Sequence, residues 1–236
     1  MTTTTTLAEV AAKSPGAVRT LERHGLDYCC GGKQSFDEAC LAEGISPESV
    51  MQEIQRAQQT GAPRRDWQIA PLGELVKHIV ATHHEYLKLE LPALSSRMEK
   101  VQAVHGVRDP ETLNRMAEVF GSLREEMEMH MHKEEAILFP FIEQYGRAEA
   151  QGQPMPPVPF GSIANPIAMM ERDHVSAGDA LGEVRTLTHD YQLPSYACST
   201  VRALYEGLHA LEADLHLHIH LENNILFPRA IALERR

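Results

Sequence analysis

One phrase of eleven residues occurs twice in the chain, and it constrains the fold more than any other feature. Residues 130–140 and residues 218–228 share the pattern His-x-His-x-Glu-x-x-Ile-Leu-Phe-Pro. On an α-helix, the first His and the Glu of each copy lie about 40° apart around the axis and about 6 Å apart along it. One ion can therefore contact both side chains. Two such helices facing each other would supply the imidazole and carboxylate ligands of a two-metal site.

Hydrophobic residues recur at helical spacing in four long segments, and each segment places polar residues where periodicity expects core residues. In each half of the sequence, a helix with one inward His precedes a helix with an inward His-x-x-x-Glu pair. The six inward residues are His84, His130, Glu134, His174, His218 and Glu222. This repeat predicts an all-α fold in which a duplicated pair of antiparallel helices closes into a four-helix bundle. Ile137 belongs to the predicted core stripe of the second helix, which is expected to end near Pro140.

The inward carboxylates of Glu134 and Glu222 require a cation, because burying an ionised carboxylate without a partner costs several kcal/mol. A metal-free network of buried ion pairs is the alternative. Mixed imidazole and carboxylate donors in a bundle favour iron, with manganese and zinc left open. If both glutamates bridge, each of two irons receives two His nitrogens and two carboxylate oxygens. An oxo or hydroxo bridge would still leave one open coordination position on each iron.

The other polar groups near the repeat are expected to play secondary roles. His132 and His220 are predicted to face solvent or a neighbouring helix, and His83 to lie at the surface or behind a ligand. His105 is placed in a loop. Glu135 and Asp173 adjoin ligands and could accept hydrogen bonds from them, although solvated charges are the more frequent reading.

Composition restricts the partners that the chain can have. The net charge is −11, and no stretch clusters Lys and Arg on one face, which argues against binding nucleic acid or an anionic membrane. No apolar run approaches the length of a membrane span, and the N-terminus lacks a signal pattern, so the cytoplasm is the expected location. Small molecules or proteins are the expected partners, and a homodimer is left open.

The chain is predicted to contain two domains. Residues 1–62 form a small helical domain with a Cys-Cys-Gly-Gly motif, and residues 67–236 form the bundle, with a broken polar linker near residues 60–65. The cysteines lack the spacing of a disulfide scaffold and are expected to be thiols. Cys29 and Cys30 are candidate functional thiols, and packing between small core residues is the competing interpretation. Cys40 and Cys198 are expected to be packing residues.

These motifs resemble the RIC (repair of iron centres) family, hemerythrin-like di-iron proteins of the YtfE/ScdA type. The residues that carry the resemblance are Leu26 to Gly32, in the order Leu-Asp-Tyr-Cys-Cys-Gly-Gly, and the two His-x-His-x-Glu phrases. The resemblance implies that the six inward residues bind two irons, with Glu134 and Glu222 bridging, and that Cys29 and Cys30 are the family's paired thiols. It also implies repair of iron–sulfur clusters damaged by nitric oxide or oxidants, with iron donated from the di-iron centre to damaged iron–sulfur proteins.

Two other functions stay open at this stage. One is a di-iron nitric oxide reductase, and the other is a sensor of nitric oxide or oxygen, so whether the protein is an enzyme is undecided. Oxygen-carrying hemerythrins have a fifth His one turn past the third-helix ligand, where this chain has Gly178. The difference argues against reversible gas carriage, and the additional thiol domain favours repair.

Overall fold

The computed structural model describes residues 5–12, 15–59 and 65–235. Within these ranges all regular structure is helical, as the hydrophobic periodicity predicts, and one isolated bridge pairs Thr6 with Ser35. The linker predicted at residues 60–65 lies outside the described residues except for Arg65. The N-terminal helices are α1 (Leu7–Ala11), α2 (Pro15–Arg23), α3 (Phe36–Ala42) and α4 (Pro47–Gln59).

The remaining helices join into four long bundle helices, three of which contain a π-helical turn. The first bundle helix comprises α5 (Leu72–Ile79), a π turn (Val80–His84) and α6 (Glu85–His105). The second comprises α7 (Pro110–Lys133), a π turn (Glu134–Leu138) and α8 (Phe139–Ala150). The third is α9 (Ala164–Leu187). The fourth comprises α10 (Ser199–Leu221), a π turn (Glu222–Leu226) and α11 (Phe227–Glu234).

The second bundle helix does not end near Pro140, as the sequence suggested, but continues to Ala150. In the preceding π turn, the Phe139 N–H donates to the carbonyl oxygen of Glu134, five residues back. Pro140 then falls in the first turn of α8, where its missing N–H is tolerated. His105 was also misplaced, because it is the buried last residue of α6 and not a loop residue.

Two apolar clusters pack the bundle on either side of the polar positions. One includes Leu87, Met131, Ala177 and Leu215, and the other contains residues such as Ile79, Leu138, Met170 and Leu221. Along every bundle helix, the predicted ligand positions therefore lie where one cluster gives way to the other. Ile137, which was predicted to be buried, is 48% exposed. The π turn shifts the helical register there, so that only Leu138 of these two predicted core neighbours faces the core.

The N-terminal helices pack around a third apolar cluster, which also contains Ile219 of the fourth bundle helix. The turn after α2 lies against the same helix, with the ring of Tyr28 at 5.4 Å from that of His220. The Asn224 side-chain amide donates to the carbonyl oxygens of Tyr28 and Cys29. This contact positions the Cys-Cys-Gly-Gly turn beside the fourth-helix π turn. Among the described helices, none is long and apolar enough to cross a membrane.

Substitution of Gly32 tests the close packing between the N-terminal turn and the fourth bundle helix. A Cβ atom at residue 32 would lie 2.6 Å from the Tyr28 carbonyl oxygen and 2.9 Å from Asn224 Oδ1. We expect Gly32→Ala to destabilise the N-terminal unit by about 1–3 kcal/mol, because the backbone must shift. The rate at which iodoacetamide alkylates the buried Cys40 thiol, read by mass spectrometry, should then rise by roughly 5- to 150-fold.

Gly121→Ala is the matched control, because a Cβ there meets nothing within 4 Å and the residue lies inside α7. It should leave the alkylation rate of Cys40 unchanged. Equal Cys40 alkylation rates in the Gly32→Ala variant and the parent would contradict the packing described here.

Candidate metal centre

The six predicted residues converge at the middle of the bundle, and each is 0% exposed. Their donor atoms fall into two sets of four, and within each set the atoms lie within 4.8 Å of one another. His84 and His218 belong to one set, and His130 and His174 belong to the other. Glu134 and Glu222 belong to both sets. The arrangement therefore offers two adjacent positions for cations that share two carboxylates.

Each glutamate faces one imidazole of each set. Glu222 Oε1 lies 2.9 Å from His218 Nε2, and Glu222 Oε2 lies 3.0 Å from His174 Nε2. Glu134 Oε2 lies 3.4 Å from His84 Nε2 and 3.3 Å from His130 Nε2. Among the described residues, three of these carboxylate oxygens have no partner with hydrogen-bond geometry. They are Oε1 and Oε2 of Glu134 and Oε2 of Glu222. Buried carboxylate oxygens without such partners are costly unless a cation contacts them.

The imidazole nitrogens oppose each other in pairs. His84 Nε2 lies 3.2 Å from His218 Nε2, and His130 Nε2 lies 3.1 Å from His174 Nε2. When both nitrogens of such a pair carry lone pairs, the contact is repulsive unless a proton or metal ion lies between or beside them. The donor set and its geometry therefore fit a pair of transition-metal ions.

The outer ring nitrogens fix the tautomers of three of these histidines. The Nδ1–H of His84 donates to Glu135 at 2.8 Å, that of His130 donates to Asp173 at 3.4 Å, and that of His174 donates to Asn223 at 2.8 Å. Each Nε2 lone pair is thereby directed inward, as metal-binding histidines require. Glu135 and Asp173 are thus hydrogen-bond acceptors and not simply solvated charges. They also bind Lys88 and Lys133, respectively.

The charges of the site are strongly coupled. Burial alone would raise the pKa of Glu222, but His218 and His174 hold it well below its ordinary value. Burial lowers the pKa of His130, whereas Glu134 and Asp173 raise it more, to a net value of about 10. Burial also lowers the pKa of His84, but Glu134 raises it more, whereas burial keeps the pKa of His218 below its ordinary value. Protons on His84 and His130 thus balance the carboxylates when no cation does. A metal ion that takes the Nε2 lone pairs must displace these protons.

Each π turn places a candidate ligand at one of its ends. His84 is the last residue of the first turn, and Glu134 and Glu222 begin the other two. A π turn adds a residue to the helix and rotates the following side chains, which is why such turns recur at functional sites. Hydrophobic periodicity does not indicate these turns. The Phe-Pro pair that ends each repeated phrase was the available signal, because Pro140 and Pro228 cannot donate to an α-helical hydrogen bond.

Two neighbouring asparagines in the fourth-helix π turn have separate roles, and no sequence pattern predicts either role. Asn223 orients His174, while Asn224 holds the carbonyl oxygens of Tyr28 and Cys29. Asn224 also contacts His220, which is buried against the N-terminal turn and does not face solvent. One turn of helix thus connects the metal centre to the N-terminal unit.

Other histidines line the site more distantly. His83 is buried, donates from Nδ1 to Asp214 at 2.9 Å, and stacks on the ring of His218 at 5.5 Å between centroids. It therefore lies behind a candidate ligand, one of the two positions predicted for it. His132 is exposed, as predicted.

The paired thiols lie close to the metal centre. The Sγ atoms of Cys29 and Cys30 are 3.8 Å apart, and Cys30 Sγ lies 3.7 Å from the His174 carbonyl oxygen. A Cβ atom at Gly178 would lie 3.6 Å from Cys30 Sγ. The hydrogen bond between the thiols lowers the pKa of Cys30 and raises that of Cys29. Cys30 therefore packs over the helix position that lacks a side chain.

The remaining cysteines differ from each other. Cys40 is buried, as predicted for a packing residue. Cys198 was predicted to pack as well but is exposed before the first turn of α10, where its Sγ lies 3.4 Å from His105 Nε2. The backbone N–H of Val201 and the His105 ring lower the pKa of the Cys198 thiol to about 7. The hydrophobic pattern could not reveal this contact because it joins distant helix ends.

Fold and site together define a class, the hemerythrin-type bundles with a cation-binding centre. Residues 75–230 match the family model described as Hemerythrin HHE cation binding domain. Residues 3–58 match the model ScdA_N, described as a domain of unknown function. Because the first of these models covers more than half of the residues, the chain belongs to the hemerythrin HHE family.

Curated relatives match the chain over nearly its whole length. It is 36% identical over 229 residues to the iron-sulfur cluster repair protein YtfE of Cronobacter sakazakii, with 97% of both chains covered. It is 40% identical over 229 residues to the protein of that name from Edwardsiella ictaluri, covering 95% of this chain and 96% of the relative. A third relative of that name, from Escherichia coli, is 36% identical over 228 residues.

Replacing the two asparagines should separate the two tasks of the π turn. Asn223→Ala removes the acceptor that orients His174, so we expect divalent metal affinity to fall by roughly 10- to 100-fold. Asn224→Ala is the matched control and should leave the metal affinity of the bundle centre unchanged while loosening the N-terminal turn. Competitive titration with a chelator measures the affinity, and alkylation of the buried Cys29 reports the turn. Equal losses of metal affinity in both variants would refute the division of tasks.

Proposed function

We propose that this protein repairs iron–sulfur clusters damaged by nitrosative and oxidative stress by donating iron from a carboxylate-bridged di-iron centre. The observation that carries the proposal is the pair of fully buried carboxylates set between opposed imidazole nitrogens. The name shared by the relatives, iron-sulfur cluster repair protein, supports the assignment of the client class. The proposed metal ligands are His84, His130, Glu134, His174, His218 and Glu222.

In this proposal His84 and His218 bind one iron, His130 and His174 bind the other, and both glutamates bridge. Two irons per chain joined by an oxo or hydroxo bridge complete the centre. When bound, the irons supply the metal that a damaged cluster has lost. Each ion would have two nitrogen and two oxygen donors, and the oxo or hydroxo bridge would add one more ligand. A closed zinc site needs only four ligands, so this larger number favours iron.

The residues around the ligands would govern how readily iron leaves. Glu135 and Asp173 accept hydrogen bonds from ligand rings and are themselves paired with Lys88 and Lys133 near the surface. A change at these ion pairs would alter how firmly the rings are held. The acceptors therefore connect a buried centre to groups that solvent or a partner protein can reach.

We further propose that residues 1–62 form a thiol-bearing unit that meets damaged iron–sulfur proteins, and that residues 67–236 form the unit that holds iron. Cys29 and Cys30 would relay iron between the two, because Cys30 lies against the His174 backbone. Thiols at all four cysteines fit a reducing compartment, in keeping with a cytoplasmic location. Two further predictions are that nitric oxide or oxygen species bind as ligands and that the protein forms a homodimer.

The direct test is to restore an iron–sulfur hydratase that nitric oxide has inactivated, with the iron-loaded protein as the sole iron source. We expect the parent to carry two irons per chain and to restore hydratase activity. Glu134→Leu and Glu222→Leu should lose iron, the oxo-bridge absorption and repair together, because each removes a shared carboxylate. His132→Gln is the control, since His132 belongs to the repeated phrase but is exposed.

Retention of both irons in both Leu variants would show that the glutamates do not bridge. Steady conversion of nitric oxide to nitrous oxide with an added reductant, without recovery of the hydratase, would instead establish a nitric oxide reductase. Tight reversible gas binding without either reaction would indicate a sensor.

Replacing Cys29 and Cys30 together with Ser tests the thiols. The bundle ligands are untouched, so iron content should stay at two per chain while recovery of the hydratase slows. Cys40→Ser serves as the control for losing a buried thiol in the same unit. Full recovery of the hydratase with the double variant would remove the thiols from the repair mechanism.

A further inference from the structure

We propose that Asp27, Cys29 and Cys30 form a second metal site, which holds one thiophilic divalent ion beside the bundle centre. The identity of the natural ion as iron in transit rests on the proposed function. The existence of the site does not, because it follows from three donor atoms within 4.8 Å of one another outside the bundle set.

The spacing of these donors fits a single ion. Two sulfur atoms bound to one tetrahedral ion at about 2.3 Å lie about 3.8 Å apart. The Sγ atoms of Cys29 and Cys30 are 3.8 Å apart. Asp27 Oδ1 lies 3.2 Å from Cys29 Sγ, so the Asp27 carboxylate adjoins the two sulfur atoms. The three atoms can therefore form one face of a coordination sphere with only small movements.

The turn that carries these donors is fixed by its own hydrogen bonds. The Asp27 carboxylate accepts backbone N–H groups from Cys29, Cys30 and Gly31, and Asn224 holds the carbonyl oxygens of Tyr28 and Cys29. Oδ1 accepts two of these N–H groups and Oδ2 accepts one. Because Oδ2 keeps a lone pair, the carboxylate can bind an ion without giving up the turn.

The proposed site faces both the bundle and the outside. A cleft of about 420 Å³ adjoins it, and Gly178 and Gly182 contribute no side chains to the cleft wall. Cys30 is exposed on this side, while its Sγ lies 3.7 Å from the His174 carbonyl oxygen on the other. His216 and Asp179 line the same cleft. The fourth coordination position is thus open to water or to a thiolate from a client protein.

Loading the site is a ligand exchange without electron transfer. The ion keeps its charge, its bonds to Cys29 and Cys30 form as water or earlier ligands leave, and the two thiol protons pass to solvent. Release reverses this sequence when client thiolates replace Cys29 and Cys30. Two sulfur donors favour iron, zinc and cadmium over magnesium or calcium.

Titration of the iron-loaded protein with Cd(II) tests the proposal. Thiolate binding to Cd(II) gives an ultraviolet charge-transfer band that the His and Glu donors of the bundle cannot give. We expect one equivalent per chain, and no band with Cys29→Ser or Cys30→Ser. Asp27→Asn keeps Oδ1 for the N–H groups of Cys29 and Cys30 but replaces Oδ2 with an uncharged NH2 group that cannot bind a cation, so affinity should fall by about tenfold or more. Cys40→Ser and Cys198→Ser are the controls and should keep the band.

A second measurement needs no variant. Cd(II) should protect Cys29 and Cys30 of the parent from iodoacetamide, while the exposed Cys198 is labelled as before and serves as an internal control. Equal labelling of Cys30 with and without Cd(II) would overturn the site, and unchanged affinity in Asp27→Asn would overturn the three-residue assignment. Neither assay contains an iron–sulfur client, so a failure of cluster repair would not affect the evidence for the second site. Failure of the Cd(II) assays would likewise not affect the evidence for the bundle centre.

Discussion

The structure depends on the burial of two carboxylates, Glu134 and Glu222, among four imidazoles whose inner nitrogens oppose one another. Neither charge could remain ionised in an apolar interior without a compensating cation, whether protons on the rings or metal ions. Protons can serve this purpose, as the raised pKa of His130 shows, but they leave both Glu134 oxygens without a hydrogen-bond partner within the described structure. Two metal ions would satisfy all of these atoms at once. The two apolar clusters on either side of the site then act as walls that keep water from the carboxylates.

The placement of the buried His and Glu side chains also accounts for the irregular helices. A regular α-helix repeats its faces at a fixed angle, so ligands and core residues on one helix compete for the same direction. The π turns at His84, Glu134 and Glu222 relieve that competition by rotating the residues that follow. Ile137 turns outward and Leu138 inward as a result. In the second and third π turns, the N–H groups of Phe139 and Phe227 donate five residues back. The next residues, Pro140 and Pro228, have no N–H that could be left unpaired.

The six polar positions could be predicted from sequence because they follow the hydrophobic period that surrounds them. A spacing of four residues places His130 above Glu134 whatever the rest of the chain does. The π turns could not be predicted in this way, since periodicity assumes one helical repeat throughout. Nor could the contacts of Asn223, Asn224 and Cys198, because each joins segments that are remote in sequence or depends on the exact exit of a turn. Local sequence patterns indicate contacts between residues that are close along the chain, but not contacts between residues that are distant in sequence.

The relation between Gly178 and Cys30 connects the two parts of the molecule. A Cβ atom at residue 178 would be in van der Waals contact with the Cys30 sulfur, at 3.6 Å, so a longer side chain that extends in this direction would meet the thiol. A side chain at residue 178 that extends toward Cys30 would therefore compete with the docked thiol turn for this helix face. A bundle that gives up the ligand gains a contact between sulfur and the backbone of a metal-binding residue. In the proposed repair function, that exchange would favour a centre from which iron can depart over one that holds its iron firmly for gas carriage.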